Sequence, residues 1–114
     1  MSEKVGQSEV IDVNSIVDSC PEKWYNATLS QVNDSLVRLG IFEGEFHWHH
    51  HDLEDEFFFV ISGKLLLDLP DGTIELNRSQ GYTVPKGIEH RTRAEEKTIV
   101  LMVETDTVKP RGDL

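Results

Sequence analysis

The chain is poor in features that would open whole classes of function. It has a single cysteine, Cys20, in 114 residues, so no intrachain disulfide can form and the reducing cytoplasm is the expected compartment. No apolar run comes near the roughly 20 residues that a bilayer-crossing helix needs. Residues 1–13 lack both the basic start and the apolar centre of a secretion signal. Positive charge is scarce too: 11 Lys and Arg stand against 21 Asp and Glu, a formal charge of -10, which repels phosphate backbones and anionic headgroups. Neither nucleic acid nor a membrane is therefore expected as a partner. No stretch of ten or more residues carries a helical apolar stripe, which sets aside helical-bundle and α/β architectures.

What remains is an ordinary globular composition, 38% hydrophobic and 28% charged, of a length that fits one domain with a real core. Most of the chain reads as β. Residues 10–17 read as an N-terminal strand, closed by Cys20, Pro21 and Glu22, and the polar residues 30–35 read as a turn between two short strands. Further strands are expected at 42–51, 56–62, 64–69, 73–76, 82–84 and 98–103. Pro70, Asp71 and Gly72 give a hairpin signal, and Ser62 with Gly63 another break. Short strands at this spacing imply a sandwich or barrel. The runs 57–61 and 98–103 are apolar on both faces, so one face should line a barrel while a second sheet or another subunit covers the other, making a homodimer plausible.

The densest cluster of potential ligands is His47, Trp48, His49, His50 and His51, followed by Asp52, Leu53, Glu54, Asp55 and Glu56. On a strand, residues two apart share a face, so His49 and His51 can converge on one ion while His50 points away and His47 lies on the ligand face one step deeper. Imidazole and carboxylate donors together suit Mn, Fe, Co, Ni, Cu or Zn.

The pattern HxHxxxxExxxxxxG at His49, His51, Glu56 and Gly63, followed by PxGxxH at Pro85, Gly87 and His90, resembles the two linked motifs of the cupin superfamily. The resemblance implies an all-β, double-stranded β-helix (jelly-roll) barrel holding one divalent transition metal ion (Mn, Fe, Ni or Zn) through His49, His51, Glu56 and His90. It implies N-terminal strands packing on the barrel over residues 1–35, the barrel over 36–104 and a loose tail over 105–114. Gly63 and Gly87 would serve turns, and Pro85 would fix the entry to the turn that aims His90 inward. Three positions depart from the family pattern: four residues separate Gly44 from His49 where five are usual, Ser79 replaces a glycine, and Ala94 replaces an asparagine. None is a ligand. More narrowly, residues 44–65 and 84–104 resemble small single-domain cupins grouped with sugar phosphate isomerases.

His47, Phe58 and Val60 are expected to line the pocket, His47 as a hydrogen-bonded interior histidine. Glu54 and Asp55 are weighed as acceptors for ligand imidazoles, Trp24 and Trp48 as core or dimer contacts, and Arg91 and Arg93 as surface ion-pair partners. The sequence Arg111, Gly112, Asp113 matches a cell-adhesion tripeptide by coincidence. The expected ligand is a small polar metabolite, in a sugar isomerase-like or dioxygenase-like reaction. The alternative is a non-catalytic metabolite-binding or sensing module.

Overall fold

The computed structural model describes residues 6–113; residues 1–5 and 114, the outer ends of the expected N-terminal segment and tail, lie outside the described residues. One short helix, α1 (Val13–Asp18), is followed by seven strands: β1 (Trp24–Val32), β2 (Ser35–Glu45), β3 (Glu56–Ser62), β4 (Leu65–Leu69), β5 (Gly72–Leu76), β6 (Gly81–Val84) and β7 (Arg91–Thr105). They pair antiparallel in the order β1-β2-β7-β3-β6, with β4 pairing both β5 and β7. The long strand β7 joins the two halves of the jelly-roll barrel, since its first residues pair β4 and its last pair β3 while β2 runs beside nearly its whole length.

Period-two alternation decides which side chains turn inward. Phe58 pairs Met102 and Val60 pairs Val100 across β3 and β7, and these four join Phe42, Leu65, Leu67, Leu76, Val84 and Ala94 in the barrel core. The turn between β3 and β4 requires Gly63. Its φ is +90°, and a Cβ there would come within 2.5 Å of the Thr98 hydroxyl, which itself clamps the backbone N–H and carbonyl of Lys64.

Several expectations need correction. The segment at residues 10–17 contains a helix where a strand was expected. Asp12 caps it by accepting from the Ser15 N–H, and Val13, Ile16, Val17 and Cys20 fall at helical spacing against Leu39, Ile41 and Ile99. Six residues are too few for a helical period to stand out, so β-branched composition misled and packing decided. This helix, rather than a second sheet or subunit, covers that part of the outer face. Phe57, Phe59, Val37 and Val103 remain half-buried on the rest of it.

The strands β1 and β2 are long rather than short, and β2 ends at Glu45 after an irregularity between Phe42 and Gly44, so residues 46–52 are not the strand expected to run to His51. Nor is the C-terminal tail loose. Residues 106–113 fold back across the mouth of the barrel, with Val108 buried.

Candidate metal centre

With no continuous strand under residues 46–52, another device must aim the histidines. It is a two-residue bridge in which His49 and His90 exchange both backbone hydrogen bonds at 2.9 Å, bringing their rings to a centroid distance of 4.3 Å. The turn at 85–90 is tied to the preceding loop from two sides: the Gly87 N–H donates to the His51 carbonyl, and the Lys86 N–H to the Asp55 carboxylate. Asp55 therefore holds a loop and does not reach an imidazole at hydrogen-bond distance. Gly87, at φ +83°, makes this turn.

Glu56 opens β3 with its side chain inward, in phase with Phe58. Its Oε1 lies 3.0 Å from His90 Nε2 and 3.6 Å from His51 Nε2. The structure thus brings all four sequence-derived donors together, His49, His51, Glu56 and His90, at 8%, 2%, 5% and 1% exposure, with one ligand atom of each within 4.8 Å of the others.

The protonation pattern suits a cation. The Nδ1 atoms of His49 and His90 lie 3.0 Å from the carbonyls of His47 and Ile88, so each Nδ1 carries the hydrogen and each neutral ring keeps its lone pair on Nε2. On neutral His90 that lone pair would face the Glu56 carboxylate, two acceptors at 3.0 Å that require a proton or a cation between them. Among the described residues, neither ring nitrogen of His51 has a hydrogen-bond partner, and both are buried. Such orphaned atoms are costly unless something coordinates them, so the residues fit a metal ion.

Burial, ahead of the neighbouring charges, lowers the pKa of His49 to about 4 and keeps it neutral at pH 7. Burial would also lower His51, but the carboxylates around it, Glu56 foremost, outweigh this and raise it. Burial opposes ionisation of Glu56, yet His51 and His90 hold it well below the usual carboxylate range.

A cavity of about 20 Å³ adjoins these donors, room for a single water, lined by Asn26, Phe46, His49, Glu56, Phe58 and Thr92 among others. Phe58 lines it. Val60, fully buried in the apolar core, does not border it, and His47 is exposed, its Nε2–H donating to the Arg111 carbonyl at 2.7 Å rather than lying deeper on the ligand face. Trp24 stacks between Phe42 and Phe46 on the cavity wall, whereas Trp48 is exposed beneath the Arg91 guanidinium. Arg91 and Arg93 share Asp68, the ion-pair role expected of them.

The cupin-domain family profile matches residues 36–105. This chain is a cupin. The uncharacterized protein YdbB of Bacillus subtilis (strain 168) is 42% identical to it over 98 residues, 85% of this chain and 87% of that one. A crystal structure of a cupin-2 domain-containing protein from Shewanella frigidimarina NCIMB 400 superposes with a TM-score of 0.80 at 33% identity, covering 84% of this cupin and 94% of that chain. Protein NMB1881 from Neisseria meningitidis shares the fold, with a TM-score of 0.75 at 23% identity over 86% and 100% of the two chains. Among the described residues no helix is long and apolar enough to cross a membrane.

Two parts of the site escaped the sequence reading. The β3–β7 register sets Glu104 beside Glu56, 4% exposed and paired with Arg38 Nε at 3.1 Å. Burial first, and the Glu56 carboxylate second, push Glu104 well above the usual carboxylate range. Its inward phase with Val100 and Met102 was the available signal. The second part is the tail, which straps the cupin's mouth. The Thr107 hydroxyl donates to Glu54, the Asp113 N–H to the His50 carbonyl, and the Asp113 carboxylate accepts from the Asp52 N–H. Pro110 borders the cavity, and Gly112 sits on the His49 ring. The apparent adhesion tripeptide serves the chain's own packing.

Proposed function

We propose that this cupin is a metal-dependent enzyme in which His49, His51, Glu56 and His90 hold one divalent transition metal ion, Mn, Fe, Ni or Zn, beside a pocket for a small polar metabolite. The observation that carries this reading is the convergence of four buried donors, among them a histidine with neither ring nitrogen satisfied. An ion bound there supplies a Lewis acid that polarises a substrate oxygen. Asn26 and Thr92 offer hydrogen bonds from the cavity wall, while Phe46 and Phe58 supply its apolar side.

Two reactions suit this donor set, isomerisation of a sugar-like substrate and oxygen activation on a phenolic or thiol substrate. An oxygen electrode separates them, since uptake with such substrates supports the second and its absence leaves the first. A non-catalytic sensing module is the second reading, favoured by a cavity wall that, beyond His49 and Glu56, offers Asn26 and Thr92 but no titratable side chain. A ligand that raises the melting temperature but is recovered unchanged would establish it.

The half-buried outer face of Phe57, Phe59, Val37 and Val103 supports a homodimer. Sedimentation that is dimeric in the wild type and monomeric in Phe59→Lys tests it. The lone Cys20 suits the reducing cytoplasm. The decisive experiment for the metal is elemental analysis of protein purified without a histidine tag. We expect close to one ion per chain, and close to none in His90→Ala. A wild type that takes up no transition ion on incubation with Mn, Fe, Ni or Zn would overturn the proposal.

A further inference from the structure

The three imidazoles of the centre are not held alike. His49 and His90 each anchor Nδ1–H on a carbonyl two residues earlier, which fixes the ring and leaves Nε2 for coordination. His51 has no such carbonyl. Its Nε2 turns toward Glu56, and its Nδ1 is buried with no partner at hydrogen-bond distance among the described residues. A ring nitrogen of His51 also lies within 4.8 Å of a carboxylate oxygen of Glu54 and of Asp113.

These two carboxylates are already oriented. Glu54, 6% exposed, accepts from Thr107 through Oε2, and Asp113 accepts from the Asp52 N–H through Oδ2, so each keeps its other oxygen available. A second cation among His51, Glu54 and Asp113 would need both nitrogens of one ring as lone-pair donors, which a neutral imidazole cannot supply. An N–H pointing at the carboxylates needs no such ionisation.

We propose that the strap of residues 106–113 is part of the metal centre: Asp113, together with Glu54, accepts the hydrogen of His51 Nδ1, so that strap docking and ion binding reinforce each other. This rests on the metal reading above. Asp113 is a positioning residue, acting on the ion through His51. Because Thr107 and Asp113 both belong to the strap, releasing it removes one acceptor and frees the other to turn away. By linkage, an ion that draws His51 into place tightens the strap by the factor by which the strap tightens the ion.

The test uses the full, untagged chain with Zn²⁺ or Co²⁺ as the probe and a competing chelator to measure affinity. We expect Asp113→Ala to weaken binding about 10- to 100-fold. Asp113→Asn, which retains an acceptor oxygen and the contact to Asp52, should recover most of the loss. Added ion should slow exchange of the Asp113 amide hydrogen in the wild type and leave it nearly unchanged in Asp113→Ala. A merely structural Asp113 would lower the melting temperature of the ion-free protein but leave the ion's dissociation constant where it was. Equal affinities in wild type and Asp113→Ala would overturn this inference alone, whereas a wild type that binds neither ion overturns the metal reading with it.

Discussion

Gly112→Ala probes whether the strap is a docked element with its own equilibrium. Gly112 has φ +92°, and a Cβ built there would lie 2.4 Å from the His49 Cβ, closer than real atoms approach. The left-handed backbone alone costs a non-glycine residue about 1–2 kcal/mol, and the clash adds to it because His49 is pinned by its bridge to His90. Hydrogen bonds from Asp106, Thr107, Asp113 twice and His47 hold the strap to the barrel at about 0.5–1.5 kcal/mol each, and burial of Val108 adds about 1.5–3 kcal/mol, so docking is worth several kcal/mol. A loss of about 1–2 kcal/mol raises the undocked population about 5- to 30-fold. Trypsin reads this directly, since Arg111 precedes Gly112 and cleavage needs the local backbone free. The cleavage rate after Arg111 should rise by that factor, with little change in global unfolding, because β7 ends at Thr105 before the strap begins. Wild-type and variant chains cut at the same rate would refute the claim that Gly112 packing on His49 holds the strap.

Chelation of the ion should lower the melting temperature of the loaded protein by about 10 °C. Free ion at a hundredfold excess over its dissociation constant stabilises by about 2.7 kcal/mol, and each kcal/mol shifts a domain of this size by about 4 °C. Scanning calorimetry of His90→Ala should show no such drop. Glu104→Ala removes the carboxyl that accepts from Arg38 Nε, leaving Asn26 and Thr28 as its partners among the described residues, and should destabilise by about 1–3 kcal/mol in urea titration. A loss below about 1 kcal/mol would show that the pair is not needed. Hydrogen bonds from Arg93 foremost, with Thr73 and Arg91, hold Asp68 well below the usual carboxylate range. A carboxylate lowered on folding stabilises fully above its unfolded value of about 3.9 and loses that contribution as the pH falls toward its folded value. Wild type should therefore lose more stability than Asp68→Asn between about pH 5 and pH 3, and parallel curves for the two would contradict it.

Residues close in the chain were legible, and residues brought together by folding were not. The spacing His49, His51, Glu56 and Gly63, then Pro85, Gly87 and His90, carries the family resemblance that implied the barrel and its four donors, because ligand type and turn chemistry are written in residues close together in the chain. Even there the reason was partly mistaken. Strand alternation was expected to aim His49 and His51, whereas a bridge from His49 to His90, 41 positions apart, and the Gly87 N–H on the His51 carbonyl hold them, contacts that no local pattern shows. The helix at Val13–Asp18 exists because Leu39, Ile41 and Ile99 offer it an apolar surface, and so composition alone read it as a strand.

By itself, then, the sequence determined the mainly β character of the chain and the chemistry of the donors, since side-chain period and ligand type need no partner to be read; the barrel followed from the family resemblance. Only the tertiary structure decided that Glu104 stands beside Glu56, that Val60 is core, that His47 faces outward, and that residues 106–113 close over the site. Each of those depends on the register of β7 and the path of the chain after it, which long-range hydrogen bonds and burial fix.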